Sequence, residues 1–239
     1  MKKIPSLFKR HYGDGPHLVY DEVVEGCEWV THGQGVATEK YDGTACAVIH
    51  TMLHKRYDRK LTKAAARRKK RDPNFVPVIG DFKALPIGWI ACEEAPNVHT
   101  GHWPGWIAIM APMDKWHVEA YSRHPKGLPP GTYELVGPKI GGNPYRLTRH
   151  ELWRHGKPTL KVQPPTDFDG LKAYLWDRPT IEGIVWHHPD GRMCKIKRRD
   201  FGFTWNQRYP THASVQPAHE QKKVQYFAND GGSCFYGYF

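Results

Sequence analysis

The stretch IEGIVWHHPDGRMCKIK, residues 181–197, predicts a β-hairpin. Two strand-like runs flank Asp190–Gly191, and an Asp-Gly pair is a strong signal for a two-residue turn between antiparallel strands. Such a turn pairs Pro189 with Arg192 and thereby sets the register of the whole hairpin. Because register decides which side chains share a face, this short stretch also predicts a candidate site.

The two faces of this predicted hairpin differ in chemistry. Trp186 lies opposite Lys195 and Ile184 opposite Lys197, and alternate residues along a strand share a face. The apolar face, predicted to be core, carries Val185, Cys194 and Ile196. The mixed face carries Glu182, Ile184, Trp186, Lys195 and Lys197. That face is either a functional site or an exposed surface with one cross-strand ion pair.

Strand-like runs recur along the rest of the chain. They span Ala45–Leu53, Trp89–Glu93, Trp106–Met110, Trp116–Tyr121, Thr132–Val136 and the two arms of the hairpin, Ile181–His187 and Arg192–Lys197. Helical periodicity is clearest over Thr166–Trp176, where Thr166 or Asp167 can cap the helix and Phe168, Leu171 and Leu175 fall on one face. Strands dominate, which predicts a mixed α+β domain built on antiparallel sheets.

Length and composition predict one domain with a short tail. The 239 residues are 39% hydrophobic, enough for a sizeable core. We expect a domain over residues 1–209 and a tail over residues 210–239. No run approaches 18 apolar residues, so no membrane-spanning helix is expected. The five cysteines are odd in number and form no Cys-x-x-Cys pair, which favours reduced thiols and a cytoplasmic protein.

The positive charge of the chain is concentrated in one segment. The net charge is +11, and Lys55–Arg71 holds ten basic residues and one acidic residue, a net +9. Such a concentration predicts a phosphate-rich partner. The alternative is a solvated basic helix around Ala64–Ala66 that binds nothing.

A lysine near the start of an apolar run completes the candidate chemistry. In the hexapeptide EKYDGT, residues 39–44, Lys40 stands two residues before Asp42-Gly43. This spacing places an amine where a strand meets a turn. By itself the signal is weak, since Asp-Gly is common in turns.

Lys40-x-Asp42-Gly43 resembles the nucleophile motif of covalent nucleotidyltransferases, which comprise DNA ligases, RNA ligases and mRNA capping enzymes. Segments similar to the family's later motifs follow in the same order, and these are Lys55–Lys60, Tyr133–Gly137, Glu182–Val185 and Lys195–Lys197. Pro138–Tyr145 narrows the resemblance to the single-domain RNA ligases of phages and animals, which join a 5′-phosphate to a 3′-hydroxyl. The resemblance covers roughly Met1 to Trp205. It implies a nucleotidyltransferase fold of two antiparallel sheets flanked by helices, with the ATP site between them.

The resemblance also implies the catalytic roles. Lys40 is expected to attack the α-phosphorus of ATP and carry AMP, which splits one hard displacement into easier ones. Lys195 and Lys197 would clamp the phosphate and stabilise its developing charge. Glu182 would orient the nucleophile or bind Mg²⁺ (or Mn²⁺), a cation that prefers oxygen ligands.

The expected binding residues form two groups. The ATP-binding group comprises Glu39, Asp42, Gly43, Arg56, Glu134 and Trp186, where Glu134 would hold the ribose and Asp42 would chiefly fix the turn. Trp186 would stack near the adenine or pack in the core. The RNA-binding group comprises Arg59, Lys60, Lys63, Arg67 and Arg68. The basic segment would contact either RNA or departing pyrophosphate.

Two other classes of protein compete with the RNA ligase interpretation. DNA ligases and capping enzymes usually carry a further small β-barrel, and only 42 residues follow Lys197, so no separate OB-fold domain is expected. A non-catalytic RNA-binding protein explains the charge. It does not explain why Lys40, Glu134 and Glu182 stand where a transferase needs them. We therefore predict an ATP-dependent RNA ligase that acts as a monomer on RNA with 5′-phosphate and 3′-hydroxyl ends.

Overall fold

The computed structural model describes residues 1–13, 15–157 and 159–205, and antiparallel strands dominate it. The strands are β1 (Phe8–Arg10), β2 (Val19–Val23), β3 (Val36–Lys40), β4 (Thr44–Ile49), β5 (Met52–Lys60), β6 (Ile90–Ala91), β7 (His102–Ala108), β8 (Gly131–Val136), β9 (Glu151–Arg154), β10 (Gly183–His187) and β11 (Met193–Lys197). The helices are α1 (Glu28–Thr31), α2 (Lys63–Arg71), α3 (Lys115–Ser122) and α4 (Phe168–Trp176), with 3₁₀ turns at Ile79–Asp81 and Arg198–Phe201.

The strands form three sheets. β1 pairs with β2, a three-stranded sheet has the order β11-β10-β3, and a six-stranded sheet has the order β6-β7-β5-β4-β8-β9. Every named strand pair is antiparallel. The expected α+β class with antiparallel sheets is therefore confirmed.

Each of the two larger sheets packs its apolar face against a helix. Ile184, Trp186 and Ile196 of the three-stranded sheet join Leu171 and Leu175 of α4 in one core. The six-stranded sheet packs on α3 through a second core of Cys46, Val48, Leu53, Ala120, Tyr133, Leu135 and Leu152. Both cores lie on the faces that bear the helices, so the opposite faces of the sheets are free to line a site.

The connection from β3 to β4 joins the two larger sheets through only three residues, Tyr41–Gly43. Gly43 packs so closely on β8 that a Cβ built there would lie 2.2 Å from the carbonyl oxygen of Leu135. Only glycine tolerates this approach. Lys40 therefore stands at the last residue of β3, where the chain crosses from one sheet to the other.

The predicted register of the hairpin is wrong by one residue. Gly183 pairs with Lys197 and Val185 with Lys195, while Ile184 faces Ile196 and Trp186 faces Cys194. The loop has three residues rather than two, because Pro189 fits the second position of a type I turn and Gly191, with φ +90°, forms the following bulge. His188 and Arg192 close this loop, with a 2.9 Å bond from the His188 amide to the Arg192 carbonyl.

The shift in register exchanges the two predicted faces of β10 and leaves those of β11 as predicted. Ile184, Trp186, Cys194 and Ile196 face the core, and all are at most 2% exposed. Val185 and Lys195 lie on the opposite face. The lysines therefore remain together, but the two predicted apolar neighbours on their face, Ile184 and Trp186, are buried behind them.

The other predicted elements have mixed outcomes. β8 and α4 are confirmed, and Asp167 caps α4 by accepting a bond from the Gly170 amide at 2.7 Å. The basic helix around Ala64–Ala66 is also confirmed as α2. The strand predicted over Trp116–Tyr121 is wrong, because this segment lies within helix α3. Its apolar residues pack with helical spacing, as Trp116 and Ala120, four positions apart, contact the same core.

Two expectations concern the limits of the chain. The predicted boundary near residue 210 lies outside the described residues. Within the described ranges, no helix combines the length and apolar character needed to cross a bilayer.

Candidate active site

A cavity of about 220 Å³ lies between the two larger sheets. The three-stranded sheet contributes Thr38, Glu39, Lys40, Val185, His187, Met193 and Lys195, and the six-stranded sheet contributes Ala45, Arg56 and Glu134. Residues Met1–Ile4 close one side. The predicted location of a binding site between two antiparallel sheets thus matches a real cavity.

Lys40 stands on the wall of this cavity with a buried carboxylate beside it. Its Nζ lies 2.5 Å from Oε2 of Glu182 and 3.0 Å from the carbonyl oxygen of Tyr41. Glu182 immediately precedes β10, and β10 pairs Gly183 with Lys40. This pairing brings together a lysine and a glutamate that are 142 positions apart.

The carboxylate of Glu182 sits in a dry environment. The residue is 5% exposed, and burial raises the pKa of Glu182, an effect that the positive charge of Lys40 partly offsets. A buried carboxylate with a raised pKa holds a proton more readily than one in water. Glu182 is therefore both a partner for the Lys40 ammonium and a candidate proton acceptor.

Lys40 and Lys197 flank Gly183 in one row across the three-stranded sheet. Cross-strand partners share a face, so both lysine side chains leave the sheet on the same side. Gly183 has no side chain between them, and a Cβ built there would lie 2.2 Å from the Ile196 carbonyl oxygen. The next row on this face contains Thr38, Val185 and Lys195.

The two lysines of β11 differ in their surroundings. Burial, with the charges of Lys197 and Lys40, lowers the pKa of Lys195 to about 8. Burial also lowers the pKa of Lys197, although the charge of Asp200 opposes the shift. Lys197 Nζ lies 3.8 Å from Asp200 Oδ1, and Arg10 Nη2 lies 2.8 Å from the same oxygen. Lys195 therefore faces the cavity without a close acidic partner such as Asp200 provides for Lys197.

Glu134 and Arg56 form the opposite wall. Oε2 of Glu134 lies 2.8 Å from Nε2 of His155, which orients the carboxylate. Arg56 donates through Nε to Oδ1 of Asp58 at 2.6 Å and through Nη1 to the carbonyl oxygen of Met1 at 2.6 Å. The structure therefore brings both predicted ATP-binding residues to the cavity.

Aromatic side chains hold the turn that follows Lys40. The Asp42 amide donates to the Tyr145 hydroxyl at 2.7 Å, and Trp205 Nε1 donates to Oδ2 of Asp42 at 2.8 Å. The Tyr41 hydroxyl donates to the Lys157 carbonyl oxygen at 2.6 Å, and burial raises the pKa of Tyr41 to about 12. Asp42 is thus committed to the turn, as expected.

Comparisons with known proteins identify the family. A family model described as RNA ligase 1 matches residues 124–239, a span that includes Glu134, Glu182, Lys195 and Lys197. The chain is also 30% identical over 221 aligned residues to RNA ligase 1 of Danio rerio, which covers 71% of this chain and 68% of that protein. RNA ligase 1 of Pongo abelii and of Mus musculus match with the same identity and coverage.

The chain belongs to the RNA ligase 1 family. Membership makes it a ligase enzyme, and it confirms the resemblance found in the motifs. The family model begins after Lys40, so the geometry around Lys40 rests on the structure and not on that match.

Not every predicted ATP-binding residue of this RNA ligase family member lies at the cavity. Trp186 is 2% exposed and belongs to the core with α4, so it does not reach an adenine in the cavity. Of the two roles expected for Trp186, stacking near the adenine or packing in the core, the structure supports packing in the core. Gly43 supports the turn beside Glu134 instead of lining the cavity. Glu39 lines the cavity, and burial raises its pKa.

The predicted RNA-binding residues lie elsewhere on this RNA ligase family member. Arg59 is 5% exposed and donates to the Lys83 carbonyl oxygen between the rings of Phe82 and Trp103, so its predicted surface role is wrong. Lys60, Lys63, Arg67 and Arg68 are exposed. Arg68 stacks over the Phe75 ring at 4.4 Å. These exposed residues lie on α2 and at the end of β5, away from Lys40.

Two histidines of the cavity, His187 and His155, are missing from the predicted site. His187 Nε2 lies 3.1 Å from the Thr38 hydroxyl, and burial together with the charge of His155 lowers the pKa of His187. His155 directly follows β9 and supports the carboxylate of Glu134. Had the correct register been used, alternation would have placed His187 on the face of Val185 and Lys195. No local pattern points to His155.

Proposed function

We propose that this protein seals RNA by an ATP-dependent reaction in which Lys40 carries AMP. The observation that carries the proposal is the position of Lys40. Its amine lies on the wall of the cavity between the two larger sheets, 2.5 Å from a buried carboxylate and on the same sheet face as two further lysines. Family membership and the position of Glu134 and Arg56 support the same function.

The first step forms a bond between Lys40 and AMP. The amine gives up a proton, and Glu182 is near enough to accept it. The nitrogen then attacks the α-phosphorus of ATP, an N–P bond forms, and the bond to pyrophosphate breaks with its electron pair leaving on pyrophosphate. The charges of Lys195 and Lys197 stabilise the negative charge that grows on the α-phosphate.

The second and third steps use the RNA ends. An RNA 5′-phosphate oxygen attacks the lysyl-AMP phosphorus and releases the Lys40 nitrogen, which regains a proton. The 3′-hydroxyl of the other end then gives up its proton to solvent and attacks the activated 5′-phosphorus, a phosphodiester forms, and AMP leaves with the electron pair of the broken P–O bond. Glu134, oriented by His155, suits the ribose hydroxyls of AMP because a carboxylate accepts two hydrogen bonds.

The residues present fit a water-rich Mg²⁺ (or Mn²⁺) site. Within the described part of the chain, no cluster of three or more acidic, histidine or cysteine side chains could hold a metal. Mg²⁺ needs no such cluster, since it commonly binds through one or two carboxylates, substrate phosphates and water. Glu182 would supply that carboxylate. Bound Mg²⁺ polarises phosphate oxygens and neutralises their charge.

The decisive experiment uses α-phosphate-labelled ATP, Mg²⁺ and a denaturing gel. Wild-type protein should retain the label, Lys40→Ala should not, and Lys126→Ala, an exposed lysine on another surface, should behave as wild type. Labelled GTP tests for a capping-type enzyme. Mass spectrometry of the purified protein detects any AMP already attached. If the wild type shows no retained label and no attached AMP, the covalent mechanism is refuted. A protein that only binds RNA is then favoured.

A further inference from the structure

A second basic depression lies beside α2, outside the cavity. This groove of about 330 Å³ is lined on one side by Lys63, Ala66 and Lys69 of α2. Lys60 at the end of β5, Lys83 and the imidazole of His102 complete its polar lining. No carboxylate is among the described residues that line it. We call it the basic groove.

The shape of the basic groove follows from its local structure. Lys60 pairs with His102 across β5 and β7, and the Lys83 amide donates to the Lys60 carbonyl oxygen at 2.9 Å. Lys63, Ala66 and Lys69 are spaced three residues apart, so they lie along one face of α2. The small side chain of Ala66 leaves the depression open between the two lysines.

The lysines of the basic groove remain available to a ligand. Lys60, Lys63 and Lys83 are exposed. Lys69 donates one bond to the Val98 carbonyl oxygen at 2.8 Å, which leaves two of the three donors of its ammonium group. Four positive charges without a carboxylate among them form a site for a polyanion rather than a network of internal ion pairs.

Strand β5 runs from the wall of the cavity, at Arg56, to the basic groove, at Lys60. Arg56, Asp58 and Lys60 alternate along β5 and therefore share one face, from the cavity wall to the groove. Lys3, which lines the cavity, lies within electrostatic range of His102. Burial is the main cause of the lowered pKa of His102, and the charges of Lys3 and Lys60 contribute to it. Asp58 lies between the two basic ends of this face and pairs with Arg56 at 2.6 Å, so Lys60 marks where the uncompensated positive charge of the groove begins.

We propose that the basic groove binds the sugar–phosphate backbone of the RNA strand whose 5′-phosphate enters the cavity. The inference rests on the proposed function. Lysines bind phosphates as point charges without reading the bases, so binding here is independent of sequence. Pyrophosphate is a poorer candidate, since Lys60 lies four residues beyond Arg56 along β5, roughly 13 Å away.

The test variant replaces Lys60, Lys63 and Lys83 together by glutamine. The matched control replaces Lys126, Lys161 and Lys172, three exposed lysines on other surfaces, by glutamine. A fluorescent 5′-phosphorylated single-stranded RNA is titrated at several salt concentrations without ATP. For single strands, each lost phosphate contact lowers the slope of log K against log salt by about 0.7. The test variant should bind at least about tenfold more weakly, with a slope about 2 smaller, and the control should match wild type.

Lysyl-AMP formation without RNA separates this inference from the proposed function. If the test variant and the matched control form lysyl-AMP at the wild-type rate while the test variant transfers AMP to RNA slowly, the groove binds RNA. Unchanged RNA affinity and salt slope would overturn the inference and leave the covalent mechanism intact. Slower lysyl-AMP formation with unchanged RNA binding would also overturn it, and would assign the lysines to the triphosphate of ATP. Failure of the wild type to form lysyl-AMP would count against the proposed function instead.

Discussion

The amino group of Lys40 and the carboxylate of Glu182 form a 2.5 Å ion pair at the edge of the cavity, and Glu182 is almost fully buried. We expect Glu182→Gln to slow lysyl-AMP formation by about 100-fold or more, since a neutral amide can neither accept the proton nor bind Mg²⁺ well. Labelled ATP measures the rate. Glu22→Gln is the matched control, because it removes the exposed Glu22–Lys9 pair. Equal rates for wild type and Glu182→Gln would exclude Glu182 from the reaction.

Lys195 should set the alkaline limit of lysyl-AMP formation. Its pKa is lowered to about 8, so the side chain is charged below that pH and neutral above it. If the positive charge stabilises the α-phosphate, the rate should fall as pH rises through about 8. Lys195→Arg keeps the charge at higher pH and should move this decline upward. A decline at the same pH in both proteins would assign the titration to another group.

The same burial should make Lys195 costly for stability. A lysine whose pKa is lowered on folding destabilises the native state while it is charged, and stability rises as pH increases from about 8 to 10.5. At neutral pH we expect Lys195→Met to raise the free energy of unfolding by roughly 1–3 kcal/mol, since one pKa unit is worth about 1.4 kcal/mol. Urea unfolding of both proteins at pH 7 and pH 10 measures this difference in the free energy of unfolding. The advantage of the variant should shrink at pH 10, and an equal advantage at both pH values would contradict this cause.

Gly43→Ala should damage both the fold and the site. The new Cβ would lie 2.2 Å from the Leu135 carbonyl oxygen and 2.9 Å from Cγ of Glu134, so β8 and the Glu134 side chain must move. We expect a loss of about 2 kcal/mol or more in unfolding free energy and weaker ATP binding. Gly80→Ala is the control, because a Cβ there contacts nothing within 4 Å. If the two variants were equally stable, the packing at Gly43 would be less tight than described.

Trp186→Leu should affect stability rather than nucleotide binding. The indole is buried in the core with α4, and removing it leaves a cavity, which typically costs about 3 kcal/mol or more. The KM for ATP should change by less than about twofold once the protein is folded, since the ring does not face the nucleotide cavity. A large rise in KM with unchanged stability would restore the stacking role that the sequence suggested.

Sequence patterns predicted the members of the site better than its geometry. Motif order predicts Lys40, Glu182, Lys195 and Glu134, and the pairing of β10 with β3 and β11 and of β4 with β8 brings them around one cavity. The predicted register of the hairpin fails at a single turn, because Pro189 extends the loop by one residue. An error of one residue exchanges the faces of a strand, which is why Trp186 was misplaced.

Two other errors came from tertiary contacts that no local pattern contains. The run at Trp116–Tyr121 has strand-forming residues, yet it folds as α3 because Trp116 and Ala120 pack on the six-stranded sheet. Arg59 looked like its basic neighbours, but the fold closes Phe82 and Trp103 around it. Charge alone does not distinguish a guanidinium that binds RNA from one that completes a core.

The short link from β3 to β4 limits how the cavity can change width. Tyr41 is tied to Lys157, Asp42 to Tyr145 and Trp205, and Gly43 to the backbone of β8, so all three residues of the link are fixed. These contacts tie the two sheets together beside Lys40. We expect the walls to move apart most easily on the side closed by Met1–Ile4. Entry and exit of nucleotide should accordingly depend on that segment, while the position of Lys40 should change little.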